Sequence, residues 1–236
     1  SLPENFLPEH SFDNGELYIR DEKLLPKPLE AGTLKREIAA YYGMISHHDE
    51  QIGKVLTCLE ENGEFSNTII VYLSDHGLAL GKHGLLGKQN LYEHSIRVPL
   101  ILTGPGVPKN SVHEECIYSM DLPSLLYRLS ECPSPDGKDS LPSPQSAFPD
   151  STFSRKTIFA LYKDVQRSIR IGDWKLILYV VENEKCLQLF NLKEDPFELQ
   201  DLAANPVYSN LISQLTKQLR NAQESNGDPC LKKFHP

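Results

Sequence analysis

The residues with the most chemical content lie in one stretch. It begins Ser74-Asp75-His76-Gly77, passes Gly81-Lys82-His83-Gly84 and Lys88, and ends in Arg97-Val98-Pro99-Leu100-Ile101. Asp75 and His76 directly follow an apolar run, 67–73, that reads as a buried strand. In an open α/β sheet, ligands bind at the carboxyl ends of the strands. A carboxylate and an imidazole placed there are costly without partners, and a divalent metal ion is a natural partner for both. Gly77, Gly81 and Gly84 let the backbone bend closely around a ligand, and Lys82, Lys88 and Arg97 add positive charge. Together these suit a metal-assisted site for a tetrahedral oxyanion. Taken alone, an Asp–His pair has a second reading as a cap or a satisfied hydrogen-bonding pair.

The order and spacing of the whole series resemble the C-terminal signature of the sulfatase family, in the alkaline-phosphatase-like superfamily. Further likeness lies in Tyr41-Tyr42-x-Met44-Ile45, in Gln51-Ile52-Gly53-x-Val55, in Trp174-Lys175-Leu176, and in Leu189-Phe190-Asn191-Leu192-x-x-Asp195-Pro196-x-Glu198. The Asp-His form is nearest to the iduronate-2-sulfatase-like and the bacterial polysaccharide or choline sulfatase branches. The resemblance implies that Asp75 and His76 are two ligands of a divalent metal, usually calcium. Many members have Asn where this chain has His76, and imidazole nitrogen suits zinc or manganese better than calcium. Lys88 is implied to be catalytic, holding a sulfate oxygen between substrate and nucleophile; an ammonium suits such a point contact. His83 has two readings, a signature residue at the site or a structural hydrogen bond. Glu93 and His94 either line the substrate pocket or close a short helix beside Arg97.

The family's nucleophile is a formylglycine made from Cys or Ser in a C/S-x-P-S-R context, and this context is absent: Cys132-Pro133-Ser134-Pro135 has the wrong order and no Arg. The paired Asp residues of the first strand and an upstream Lys-x-x-His are absent too. Two ligands cannot fill the roughly 6–8 positions of calcium. The expectation is therefore a C-terminal part that works with an N-terminal half, from the same precursor or on a second chain, to hydrolyse a sulfate ester, with a sulfated carbohydrate as the expected substrate. A phosphate or phosphonate ester hydrolase of the same superfamily is one rival, and a non-catalytic binding or structural chain is another. The resemblance implies export to a periplasm, a lysosome or the cell exterior.

The elements that must position these residues read as α/β. Residues 34–61 have helical periodicity, with Thr33 as N-cap and Asn62-Gly63 as stop. His47, His48, Asp49 and Glu50 fan around this helix, which favours a solvated face over a metal cluster. Residues 67–73 and 98–102 read as buried strands, in the helix-then-strand rhythm of a parallel sheet. A short helix follows over 120–129, with Asp121 as cap. Strands at 157–162, 166–171, 175–181 and 186–191 suggest an antiparallel meander, and 202–223 is again helical. The fold class is thus the later part of an alkaline-phosphatase-like mixed sheet flanked by helices, plus a small antiparallel sheet with a C-terminal helix. The domain reading is 1–130 for the main α/β portion, 131–156 for a Pro-, Ser- and Asp-rich linker, and 157–236 for a small subdomain. Residues 1–33 read as a surface loop, with Asp21, Glu22 and Lys23 a solvated turn, and residues 224–236 as a loose tail.

The 236 residues carry a net charge of −8, which argues against nucleic acid as a default partner. No apolar run approaches membrane-span length. The start, Ser1-Leu2-Pro3, has no signal pattern, as expected of a mature product or of a fragment beginning mid-protein. Of the five Cys, none forms C-x-x-C; Cys58 reads as core, and Cys116 with Cys132 as a candidate loop disulfide of unreadable connectivity.

Overall fold

The computed structural model describes residues 1–114, 116–133 and 155–235. These form two compact units, one of residues 1–38, 76–98 and 156–236, the other of residues 39–75 and 99–155.

The first unit is built on a four-stranded antiparallel meander in sequential order: β3 (Thr157–Tyr162), β4 (Gln166–Ile171), β5 (Trp174–Val181) and β6 (Glu184–Asn191). Adjacent strands are joined by tight turns, so each pairing is local, such as Ile169 opposite Leu176 and Leu176 opposite Leu189. Alternation gives the sheet two apolar faces. One face carries Ile169, Leu176, Leu178 and Leu189 against helix α4 (Ser209–Ser225). The other carries Ile177, Tyr179 and Phe190 against Leu85, Leu91 and Tyr92 of the signature segment. The signature loop is therefore the cover of the small sheet's second face. A smaller cluster joins Leu86 to Leu29, Leu34 and Ile38.

Residues 224–236, expected to be loose, are instead packed through residue 235. Phe234, in the short α5 (Leu231–Phe234), is 2% exposed and joins the core. Asp228 takes both Nε and Nη2 of buried Arg167, the latter at 2.8 Å, and the guanidinium lies 4.5 Å from the centre of the Phe234 ring. A buried arginine needs a matching carboxylate, and the tail supplies it.

The second unit holds the rest of the long helix α1 (Ala31–Glu61), the strands β1 (Ile70–Leu73) and β2 (Leu100–Thr103), and α3 (Leu122–Leu129). Three expectations change here. The strands pair antiparallel, Ile70 opposite Thr103 and Leu73 opposite Leu100, rather than in a parallel rhythm. β1 is only half-buried, with Tyr72 41% exposed. Helix α1 begins at Ala31, capped by the Glu30 carboxylate, which accepts from the amides of Gly32 and Thr33; Thr33 is already inside the helix. Those bonds hold the Glu30 carboxyl down at about 2.

His47, His48, Asp49 and Glu50 are all exposed. Cys58, expected in the core, is exposed as well. All five thiols are free, so Cys116 and Cys132 form no disulfide. Asp121 does not cap α3 with its side chain; it accepts from Tyr118 N at 3.0 Å and pairs with Arg155 at 2.7 Å. Among the described residues this unit has one small core, with Leu125 and Leu129 buried, while Tyr42, Ile45, Val55 and Ile101 are exposed. No helix among the described residues is long and apolar enough to cross a membrane. Most of the expected linker, residues 134–154, lies outside the described residues.

Candidate active site

Asp75 and His76 follow β1 after Ser74, the first ending one compact unit and the second opening a segment of the other. The His76 ring is fixed by its own neighbour: Nδ1 lies 2.9 Å from the Gly77 carbonyl. A carbonyl can only accept, so Nδ1 is the donor to it, which leaves Nε2 as the nitrogen turned to other partners. A metal-ligating imidazole commonly has its other ring nitrogen held by a carbonyl in this way. Among the described residues no group of three or more His, Cys, Asp or Glu could hold a metal ion. Asp75 and His76 by themselves are fewer side chains than a divalent shell takes, so they fit a share of it and not the whole.

After His76 the backbone is threaded tightly. Gly77 N donates to Ser95 O at 2.9 Å, and a Cβ on Gly77 would lie 1.9 Å from the His94 carbonyl. Gly84 has φ +72, and a Cβ there would lie 2.1 Å from the Glu9 backbone. Both glycines are required by close approach of another strand of chain. Between them Ala79 N bonds to Gly87 O and Gly81 N to Leu85 O, closing a compact loop that delivers Lys88.

Lys88 is half-buried, and among the described residues it makes no ion pair. Its backbone is held from the N-terminal segment. Glu22, 5% exposed, accepts from Leu86 N at 2.9 Å and Gly87 N at 2.8 Å. Asp21 accepts from Gln89 Nε2 at 2.8 Å. These two acids, expected to sit in a solvated turn, are structural members of the loop. Their partners lie 64 to 68 positions away, and no local pattern marks them.

His83 takes the structural reading. It is 7% exposed, its amide donates to Asn5 O at 2.7 Å, its Nε2 accepts from Asn5 Nδ2 at 3.1 Å, and its carbonyl accepts from His10 Nδ1 at 2.7 Å. Its ring stacks on Tyr92 at 4.0 Å and 5°. Burial pulls its pKa down to about 4, so the ring is neutral at ordinary pH. The rings of His83 and Tyr92 line a cavity of about 200 Å³ with His10, Phe12, Gln188 and Phe190. His94 extends the stack, 5.6 Å from Tyr92. Both of its ring nitrogens are buried without a hydrogen-bond partner, and burial drives its pKa well below the ordinary value. Glu93 does not pair with Arg97: its carboxylate lies 2.9 Å from Lys175 and 3.1 Å from Arg170, both from the small sheet.

The loop architecture has a counterpart in known proteins. The sequence profile of the sulfatase family matches residues 4–130, and the profile "N-sulphoglucosamine sulphohydrolase, C-terminal" matches residues 81–225. The chain belongs to the sulfatase family. Two curated relatives illustrate the membership. The multifunctional alkaline phosphatase superfamily protein PehA of Trinickia caryophylli is 30% identical over 224 residues, covering 86% of this chain and 43% of PehA. An arylsulfatase of Clostridium perfringens is 33% identical over 198 residues, covering 79% of this chain and 40% of its own. Among solved structures, BT4656 in complex with its substrate D-glucosamine-2-N,6-O-disulfate superposes with a TM-score of 0.67 at 25% identity, covering 89% of this chain and 45% of that one. The chain thus spans less than half the length of each of these proteins, and the fold is the alkaline-phosphatase-like one anticipated from the sequence.

Proposed function

We propose that this chain is the C-terminal part of a sulfatase that hydrolyses sulfate esters, with Lys88 contacting the sulfuryl group. The observation that carries the reading is the setting of Lys88: a half-buried ammonium, engaged in no ion pair among the described residues, on a loop whose three entering amides are held by side chains. Hydrolysis of a sulfate ester redistributes negative charge over the sulfuryl and bridging oxygens. A fixed cationic donor facing those oxygens stabilises that charge without reorganising during the reaction. His94 is proposed to line the substrate pocket.

Asp75 and His76 are proposed as two ligands of a divalent metal, calcium by family habit, with zinc or manganese suited to the imidazole. When bound, the metal would polarise the ester and offset negative charge on its oxygens. The chain's own part is to present the Asp75 carboxylate and to hold the His76 ring in the Nδ1-protonated form. The formylglycine nucleophile and the remaining ligands would come from an N-terminal half. The partial coverage of the relatives supports this, and so does the second unit, whose exposed Tyr42, Ile45, Val55 and Ile101 would be covered by that half. A sulfated sugar is the proposed substrate, in line with the disulfated glucosamine bound by BT4656.

A second reading, phosphate or phosphonate ester hydrolysis, is favoured by the nitrogen donor at position 76 and by the likeness to PehA. Both readings are tested on the intact protein that contains this chain. It is stripped with a chelator, re-supplied with calcium, manganese or zinc singly, and assayed on an aryl sulfate and an aryl phosphate. Restoration of sulfate-ester turnover is the expected result. Turnover of the phosphate ester alone would transfer the assignment to the second reading.

A further inference from the structure

Three consecutive backbone amides lead into the Lys88 side chain, and each is met by a side-chain oxygen. Glu22 Oε2 accepts from Leu86 N at 2.9 Å, and Glu22 Oε1 from Gly87 N at 2.8 Å. Gln89 Oε1 accepts from Lys88 N at 3.0 Å, and the same amide group donates through Nε2 to Asp21 Oδ2 at 2.8 Å. Both acids come from one turn, Arg20–Lys23. The fork is crowded: a Cβ on Gly87 would fall 2.6 Å from Gln89 Oε1 and 3.1 Å from Glu22 Oε1. A buried carboxylate is costly unless donors meet its charge. Here the donors are the two amides, with Lys27 at 3.5 Å on the far oxygen. Lys27 also donates to the Gly84 carbonyl, tying the same carboxylate to the start of the loop.

An apolar contact could hold a loop down, but it would leave the peptide planes free to rock. A carboxylate fork on two successive amides fixes their orientation, because charge-assisted hydrogen bonds are both shorter and more directional. This matters at position 88 in particular. Lysine carries its charge at the end of a flexible four-carbon stem. A small rotation of the peptide plane at the root of that stem swings the ammonium through a much larger arc.

We infer that Glu22 is a positioning residue for Lys88, with Asp21 acting through Gln89 as its second arm. Glu22 fixes the backbone from which the lysine stem departs, and thereby the volume the ammonium can occupy. The inference rests on the sulfate-ester reading above, since it gives Lys88 its task. Glu22 has no direct task in the chemistry, so its whole effect on turnover passes through Lys88.

The test is a double-mutant cycle in the intact protein, assayed on an aryl sulfate: Glu22→Gln, Lys88→Ala and the pair. Glutamine keeps the shape but can accept from only one of the two amides. Glu22→Gln should lower kcat about tenfold or more, as expected for a displacement of ångström scale, and change KM less than about threefold. In the Lys88→Ala background it should change kcat no further. Amide hydrogen exchange at Leu86 and Gly87 should quicken while the small sheet stays protected. An unchanged kcat in Glu22→Gln, or an equal loss with and without Lys88, overturns the inference. If Lys88→Ala itself leaves turnover intact, the sulfate-ester role of Lys88 falls and this inference falls with it. A neutral Glu22→Gln beside a damaging Lys88→Ala removes this inference alone. If Glu22→Gln does not fold, Asp21→Asn at the partly exposed arm takes its place in the cycle, and is read in the same way.

Discussion

The Lys175 ammonium lies 2.8 Å from the Glu198 carboxylate, with the two side chains 1% and 2% exposed. The same ammonium is 2.9 Å from Glu93, and Glu198 also accepts from Glu93 N at 2.7 Å. One lysine of the small sheet thus ties the start of the short helix α2 (Glu93–Ile96) to the segment at residue 198. Burial raises the Glu198 carboxyl despite Lys175, whereas at Glu93 the burial effect is outweighed by Lys175 and Arg170 and the pKa is lowered.

Lys175→Met is expected to destabilise the protein by about 3–5 kcal/mol, because it leaves the buried Glu198 carboxylate without a cation and Glu93 with Arg170 alone. Adding Glu198→Gln should recover part of the loss by removing the stranded charge. Urea unfolding of wild type, single and double variants measures both. A loss under about 1 kcal/mol for Lys175→Met would show that water reaches the node.

Acid should act on the packed tail through Asp228. Its hydrogen bonds to Arg167 depress its pKa from 3.8 to about 2. A depressed carboxylate stabilises the fold above its unfolded value, and that stability is lost as pH falls through the folded value. The pair therefore contributes about 2 kcal/mol that is intact above roughly pH 4 and gone near pH 2. Asp228→Asn should be less stable than wild type by that amount at pH 7, and the gap should close on acidification. A gap independent of pH would locate the effect in packing rather than charge.

The neutral histidine works at milder pH. His83 has its pKa lowered by burial from 6.5 to about 4, so the unfolded chain binds a proton that the folded one does not. Stability is full above pH 6.5 and declines as pH falls toward 4, by about 3 kcal/mol for this one group. His83→Gln should flatten the stability–pH profile by one proton over that window, even if it costs stability throughout. An unaltered slope would mean that the imidazole takes up its proton in the folded state.

The elements legible in the sequence were those whose partners are near in the chain. The meander from β3 to β6 follows from alternation and tight turns, and its expected limits fall within two residues of those observed at every strand. The glycine-rich loop was legible because Gly77 and Gly84 record close approaches. What remained hidden depended on distant partners. Glu22 resembles any solvated acid until Leu86 and Gly87 arrive. Asp228 and Phe234 lie in a polar stretch whose value comes from Arg167, 61 positions before Asp228. The antiparallel pairing of β1 with β2 is a relation between strands that neither strand's composition expresses. The apolar spacing along α1 marked the helix and a face for burial, yet among the described residues only Leu34 and Ile38 of the helix are buried, while Tyr42, Ile45 and Val55 are exposed.

The central claim is that Lys88 serves the hydrolysis of a sulfate ester. The most direct measurement is aryl sulfate turnover by the intact protein with Lys88 and with Lys88→Ala, alongside a check that both fold alike. The account predicts a fall in kcat of about 10²–10³, the effect of removing one preorganised donor from developing negative charge. Turnover equal to wild type in a folded Lys88→Ala protein would contradict it.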